Sequence, residues 1–233
     1  SESYQNQLLS EFNKLSEDVD SRGLQIAVHS IGDAAVHRVL NGYEYARERN
    51  GVRDSRHRVE HIELILKDDI GRFKELDVIA SMQPLHPPGS DGLPLEPTIS
   101  KIGNNRFNQA YAWRSIKEAG GKVTFSTDWP VSNVDPINCI SNALNRQVWA
   151  EGQFDQRLSL IDTLKAYTIG GAYAEFKEHK KGLIQKNYLA DIVVLSDRID
   201  LLNKDQLSTL KVISTIVDGK LVYSSDPQSE GTN

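Results

Sequence analysis

The sequence predicts an α/β protein in which a parallel β-sheet is followed by a small β domain. Apolar, strand-like runs alternate with amphipathic helices about every 30–45 residues, as in right-handed βαβ units. Near the end of the chain the pattern changes, and Asp218-Gly219 separates two apolar runs as in a β-hairpin. We therefore expect two parts, residues 1–178 and residues 179–233.

Each predicted strand of the first part is a short apolar run, as a parallel sheet covered on both faces requires. These strands are predicted at residues 24–28, 56–62, 77–82 and 122–127. Helices are predicted where apolar residues recur at helical spacing, at residues 4–19, 33–49, 67–76, 108–119, 136–149 and 160–174. Proline and glycine concentrate between Pro84 and Gly103, which indicates a long loop of a kind that is usually functional or disordered. The strands of the second part are predicted at residues 189–195, 212–217 and 220–223.

The composition argues against some classes of partner. The 233 residues carry a net charge of −5 with mixed signs and no basic block, so we expect neither nucleic acid nor an anionic membrane as a partner. No apolar run approaches the ~20 residues that a membrane-spanning helix needs. The single cysteine, Cys139, rules out an internal disulfide and fits a reducing, cytoplasmic compartment.

Three of the predicted strands lead to a side chain that can bind a metal. The first strand runs into His29, the second ends around His61, and the fourth runs into Asp128. Side chains at the carboxyl ends of parallel barrel strands project into one shared site. Two imidazoles and a carboxylate suit zinc or a similar divalent ion. The sequence therefore predicts His29, His61 and Asp128 as metal ligands.

Five motifs occur in order along nearly the whole chain. They are H-S-I-G-D at 29–33, R-V-E-H at 58–61, S-M-Q-P-L-H at 81–86, S-T-D-W-P-V at 126–131 and K-G-L-I-Q-K-N-Y-L-A-D-I-V-V-L at 181–195. As an ordered set they resemble the amidohydrolase superfamily, in its amidohydrolase family 3 branch. That branch includes N-substituted formamide deformylases and exoenzyme-regulatory-type proteins.

The resemblance implies a fold and an activity. Residues 1–178 would form strands 5 to 8, the C-terminal half of a metal-dependent hydrolase TIM (β/α)8 barrel. Residues 179–233 would be the C-terminal strands of a composite β-sandwich. The implied reaction is hydrolysis of a non-peptide C–N bond in a small amide, formamide or cyclic amide, by water that a divalent metal activates. Zinc is the first choice of metal, as one or two ions in the complete site.

The resemblance also assigns roles to the three predicted ligands. His29 would end strand 5, His61 strand 6 and Asp128 strand 8. The two histidines would bind the metal. Asp128 would contact the metal and act as the general base that takes a proton from the attacking water.

Three further residues are candidate substrate contacts, each with an alternative. His86 follows the third strand and would contact the substrate or support a ligand, unless it is a solvated loop histidine. Arg106 would clamp a substrate carboxylate or carbonyl. Trp129, beside Asp128, either packs in the core or lines the pocket.

Other polar residues are expected to be structural. Asp33 is read as a helix cap in preference to a catalytic group, and Glu60 as an ion-pair partner. His37, His57 and His179 are expected at the surface.

The family pattern is incomplete in this chain. No H-x-H, which the family has at the end of strand 1, occurs in the sequence, and the bridging ligand of strand 4 should also lie upstream. We therefore expect a C-terminal fragment that binds metal weakly and is inactive without its N-terminal half. The alternative is a non-enzymatic α/β module that self-associates, or pairs with an N-terminal half, through exposed sheet edges. Either way, a homo-oligomer is expected.

Overall fold

A four-stranded parallel sheet forms the centre of the first part of the molecule. The computed structural model describes residues 2–89, 94–203 and 205–226, with side chains from residue 7 onwards. The strands are hydrogen-bonded in chain order. They are β1 (Ala27–Ser30), β2 (Arg58–His61), β3 (Ile79–Met82) and β4 (Lys122–Phe125). The predicted α/β class with a parallel sheet is confirmed.

Helices precede, connect and follow the strands. They are α1 (Glu2–Ser21), α2 (Asp33–Asn50), α3 (Arg72–Glu75), α4 (Thr98–Ile102), α5 (Trp113–Glu118), α6 (Pro136–Asn145), α7 (Leu160–Tyr167) and α8 (Ile169–Ala174). The apolar face of α2 buries Val36 and Leu40 in the same core as Val59 of β2. Gly42 lets α1 approach α2 closely, because a Cβ at this position would collide with the ring of Phe12.

The two faces of the outer strand β1 differ in exposure. Ser30 is buried, whereas Ala27 and His29 are exposed. On β2, Glu60 forms the structural ion pair expected of it, with Arg58 at 3.1 Å. Among the described residues, β1 and β4 pair with no strand on their outer sides, so the sheet has two open edges.

Two predicted helices are interrupted for identifiable reasons. The predicted helix 108–119 begins only at Trp113, because residues 104–109 form a 3₁₀ helix and the extended Ala110 after it forms a bridge with Leu64. The predicted helix 160–174 breaks at Thr168, whose backbone (φ −112°, ψ −90°) is not helical. After this break Gly170 lies directly against β4, where a Cβ would stand 3.2 Å from the Val123 carbonyl oxygen.

Two other predicted segments also differ. The segment 67–76 is a 3₁₀ turn (Lys67–Asp69) followed by the single turn α3. The predicted loop 84–103 contains α4 near its end, and its residues 90–93 lie outside the described ones.

The tail forms a separate antiparallel sheet of β5 (Ile192–Leu195), β6 (Val212–Val217) and β7 (Lys220–Ser224). The Asp218-Gly219 hairpin is confirmed, and both residues have positive φ (49° and 76°), as a type I′ turn requires. Leu207 and Leu210 of the tail pack against the buried apolar face of α6.

His57 is buried, so its predicted surface position is wrong. Its Nδ1 accepts the backbone N–H of Ile26 at 3.0 Å, and its Nε2 lies 3.0 Å from Asp20 Oδ1. Asp20 also accepts hydrogen bonds from Asn50 and Arg53. The contact between His57 and Asp20 connects α1 to the start of the sheet.

In the described ranges, no helix is both long and apolar enough to cross a membrane.

Candidate metal centre

Three side chains meet beyond the carboxyl ends of β2, β3 and β4. His61 closes β2, His86 follows β3 after a short turn, and Asp128 follows β4. One ligand atom from each lies within 4.8 Å of the others. The parallel order of the strands creates this meeting point, because it brings their carboxyl ends to one edge of the sheet.

The geometry of the three groups is compact. Asp128 Oδ2 lies 3.9 Å from His61 Nδ1 and 3.8 Å from His86 Nε2. The two imidazole rings stack with centroids 5.7 Å apart and planes 13° apart. Both histidines are buried, while about a third of the Asp128 side chain is exposed (35%). A reactant therefore has access from the carboxylate side.

The backbone is strained at two of these positions. His61 has φ 78° and Asp128 has φ 57°, both in the left-handed region that side-chain-bearing residues rarely adopt. Such conformations cost on the order of 1–3 kcal/mol each and cluster at functional sites. These left-handed conformations turn the backbone out of the strand direction at His61 and at Asp128.

His61 is held by a polar chain from the neighbouring strands. Its Nδ1 lies 2.9 Å from Gln83 Oε1, and Gln83 Nε2 donates to Ser126 Oγ at 3.1 Å. With this amide orientation, the Nδ1–H of His61 donates and Nε2 keeps its lone pair. Metal-ligating histidines have such a partner on their other nitrogen. Sequence reasoning missed Gln83, although it lies within the S-M-Q-P-L-H motif directly after β3.

The two ring nitrogens of His86 differ in their contacts. Its Nδ1 lies 3.5 Å from Glu63 Oε1, and Glu63 Oε2 accepts the Tyr111 hydroxyl at 3.0 Å. Its Nε2 is buried without a hydrogen-bond partner among the described residues. A buried polar atom left in this state costs about 1–3 kcal/mol. A divalent cation beside Asp128 would satisfy it, so the donor set fits a metal of the zinc type.

The model of the amidohydrolase family matches residues 2–223, nearly the entire chain. The chain belongs to the amidohydrolase family. The five motifs indicated the family 3 branch, and this resemblance is confirmed.

Relatives of this chain are longer proteins. It is 34% identical over 209 residues to the protein LONG AFTER FAR-RED 3 of Arabidopsis thaliana, covering 88% of this chain and 35% of that protein. It is 27% identical over 220 residues to N-substituted formamide deformylase of Arthrobacter pascens, covering 92% of this chain and 39% of that protein. It also resembles the crystal structure of a metal-dependent hydrolase from Pyrococcus furiosus, with a TM-score of 0.62 and 30% identity, covering 77% of this chain and 35% of that one. The chain thus spans little more than a third of the length of each.

The structure brings together two of the three predicted ligands. His61 and Asp128 lie in the three-residue group, which His86 completes in place of His29. His29 is exposed, and its ring stands edge-on to that of His61 with centroids 4.3 Å apart. His29 therefore lies beside the group, and its role as a ligand stays a prediction.

Arg106 is engaged away from the group. Its Nε donates to the Ile102 carbonyl at 2.8 Å, and its Nη1 lies 3.4 Å from Asp33 Oδ2. Asp33 accepts the backbone N–H of Ala34 at 2.8 Å, which fits its structural interpretation, although Gly32 occupies the N-cap. The predicted substrate clamp by Arg106 has no geometric support here and stays a prediction.

Trp129 does not pack in the core. The residue is 68% exposed, directly after Asp128. The core interpretation is therefore excluded, and the place of Trp129 on the pocket wall stays a prediction.

Proposed function

We propose that the chain is the C-terminal part of a metal-dependent amidohydrolase that hydrolyses a non-peptide C–N bond in a small amide, formamide or cyclic amide. The observation that carries the proposal is the group of His61, His86 and Asp128 at the strand ends, in which His86 Nε2 is buried without a hydrogen-bond partner among the described residues. The match to a formamide deformylase over 92% of the chain supports this substrate class.

The proposal extends to the architecture of the complete protein. β1 to β4 correspond to strands 5 to 8 of a (β/α)8 barrel within residues 1–178, and β5 to β7 to part of a β-sandwich within residues 179–233. The two open edges at β1 and β4 support this, because a closed barrel would pair both of them. The N-terminal half would then supply the H-x-H and the strand-4 ligand. This chain alone should bind metal weakly and be inactive.

The residues that would hold the metal are His61, His86 and Asp128, with His29 as a further ligand beside them. Zinc is the first choice because imidazole and carboxylate are its common ligands in hydrolases. A divalent ion bound there would lower the pKa of water from ~16 towards ~7 and polarise the substrate carbonyl.

Asp128 is the group that moves protons. Its side chain is partly exposed, so a water molecule and the substrate can reach Oδ2. As general base, Oδ2 accepts a proton from the attacking water and then returns it to the leaving nitrogen. The exposed ring of Trp129 next to it would contact an apolar substituent of the substrate.

A second class of function rests on the same open edges. A non-enzymatic module that pairs through β1 and β4 would self-associate. Light scattering on this chain at micromolar concentration should show a dimer or larger species, and a strict monomer would count against exposed pairing edges. The single cysteine supports a reducing, cytoplasmic location for either class.

The experiment that tests the proposal is a hydrolysis screen of the zinc-loaded longer protein that contains this chain. Formamides, N-acyl amines and cyclic amides are compared, with this chain run in parallel. Asp128→Asn should lower kcat by about 10²–10⁴-fold for any substrate found, whereas the exposed Asp68→Asn should leave it unchanged. Unaltered turnover in Asp128→Asn would rule out the proposed base.

A further inference from the structure

A chain of polar contacts leads from His86 into the protein interior. His86 stands between two carboxylates, with Nδ1 3.5 Å from Glu63 Oε1 and Nε2 3.8 Å from Asp128 Oδ2. A neutral imidazole has one N–H, so it can donate to only one of them. Whichever carboxylate receives that N–H decides which nitrogen keeps the lone pair.

Tyr111 fixes the orientation of Glu63. Its hydroxyl donates to Glu63 Oε2 at 3.0 Å, which turns the other oxygen, Oε1, towards His86. Burial and the neighbouring Glu63 carboxylate raise the pKa of Tyr111, so the hydroxyl remains a donor at neutral pH. The carboxylate is therefore presented to His86 Nδ1 in one orientation.

Backbone contacts hold Tyr111 and Glu63 next to each other. Tyr111 N–H donates to the Glu63 carbonyl at 2.9 Å, and Ala110 forms a bridge with Leu64. Tyr111 has φ 48°, a left-handed conformation that needs support from its surroundings.

Arg146 supplies that support. It is buried, and its guanidinium donates to two successive carbonyl oxygens, of Tyr111 at 2.6 Å and of Ala110 at 2.8 Å. The same group lies 4.9 Å from the ring centroid of Trp113. A planar fork of donors suits this double contact, whereas a lysine ammonium would not reproduce it.

We propose that Arg146 and Tyr111 are positioning residues that, through Glu63, hold His86 as the tautomer protonated at Nδ1, with the Nε2 lone pair facing Asp128. The proposal rests on the proposed function, since that lone pair is what the metal would use. Arg146, Tyr111 and Glu63 lie outside the three-residue group, and the tautomer of His86 can be measured in the metal-free protein.

The test is the tautomer of His86, measured by ¹⁵N NMR on histidine-labelled, metal-free protein under conditions in which the shifts of its two ring nitrogens show the neutral imidazole. The chain has six histidines, and the spectrum of His86→Gln identifies the signals of His86. In the wild type His86 should be protonated at Nδ1. Glu63→Gln should invert the tautomer, because Asp128 then becomes the better acceptor.

Tyr111→Phe and Arg146→Lys should shift His86 several-fold towards the Nε2–H form. Tyr188→Phe is the matched control, because it loses a hydroxyl donated at 2.8 Å to the Glu178 carbonyl, a site in a different part of the chain. An Nε2–H form in the wild type would overturn the proposal. A wild-type tautomer in either positioning variant would overturn the role of that residue.

Zinc affinity, measured by competition with a chromophoric chelator, separates this inference from the proposed function. Glu63→Gln should bind zinc about 10–100-fold more weakly than the wild type. Zinc binding without the expected tautomer would leave the metal centre standing and remove the positioning role. The expected tautomer without zinc binding would support the positioning role and remove the metal centre.

Discussion

His86 Nε2 lies 3.8 Å from Asp128 Oδ2, and the nitrogen has no hydrogen-bond partner among the described residues. The two residues follow neighbouring strands, β3 and β4, so the order of the sheet brings them together. A buried nitrogen held next to a carboxylate at this distance is poised to share a cation with it.

Gln83→Ala should weaken zinc binding without unfolding the protein. The substitution removes the acceptor for His61 Nδ1 and frees the ring to turn or change tautomer. Loss of such an outer partner typically lowers metal affinity about 10–100-fold. Chelator competition measures the change, and the exposed Gln185→Ala is the matched control. Equal zinc affinities for Gln83→Ala and the wild type would show that the polar chain through Ser126 does not orient His61.

The protein should lose stability as the pH falls below about 6.5. Burial lowers the pKa of His57 and outweighs the Asp20 carboxylate, which favours the charged form. A protonated ring would also lose the hydrogen bond that Nδ1 accepts from the Ile26 N–H. The pKa of Asp20 is lowered too, by hydrogen bonds from Asn50 and Arg53 that outweigh its burial. A depressed folded-state pKa gives stability that is present above the unfolded value and lost as the pH falls through the folded one.

The measurement is the free energy of unfolding by urea at several pH values between 7.5 and 5. His57→Gln should flatten the fall just below pH 6.5, whereas the exposed His179→Gln should retain it. The Asp20 contribution should disappear only below about pH 4. Identical pH profiles for the wild type and His57→Gln would contradict a neutral buried His57.

Gly42→Ala should destabilise the protein by about 1–3 kcal/mol, despite the higher helix propensity of alanine. The added Cβ would collide with Phe12 and force α1 away from α2. Gly71→Ala is the matched control, since Gly71 has right-handed backbone angles and its nearest neighbour, Glu75 Oε1, is 3.7 Å away. Urea unfolding compares the two, and a smaller loss for Gly42→Ala than for Gly71→Ala would show that α1 is not packed tightly.

Much of the scaffold could be predicted because parallel strands and hairpins leave local patterns. The runs before His61 and Asp128 indicated buried strands that bring these side chains to one edge. The Asp218-Gly219 turn was equally local, since its backbone angles suit this pair. These signals need only residues that are close in the sequence.

The rest of the site depends on contacts that the sequence does not show. His86 follows a turn rather than a strand, so its direction could not be read from strand alternation. The contact of Glu63 with Tyr111 depends on one isolated bridge between distant segments. The buried position of His57 likewise arises from its pairing with Asp20 on α1, far away in the sequence.

The most direct test of the metal centre is a zinc titration of this chain by chelator competition. The wild type should show one saturable, weak zinc site per chain, and His61→Ala or His86→Ala should each lower its affinity at least about tenfold. Titration curves that are the same for the wild type and for both alanine variants would contradict a metal site formed by His61, His86 and Asp128.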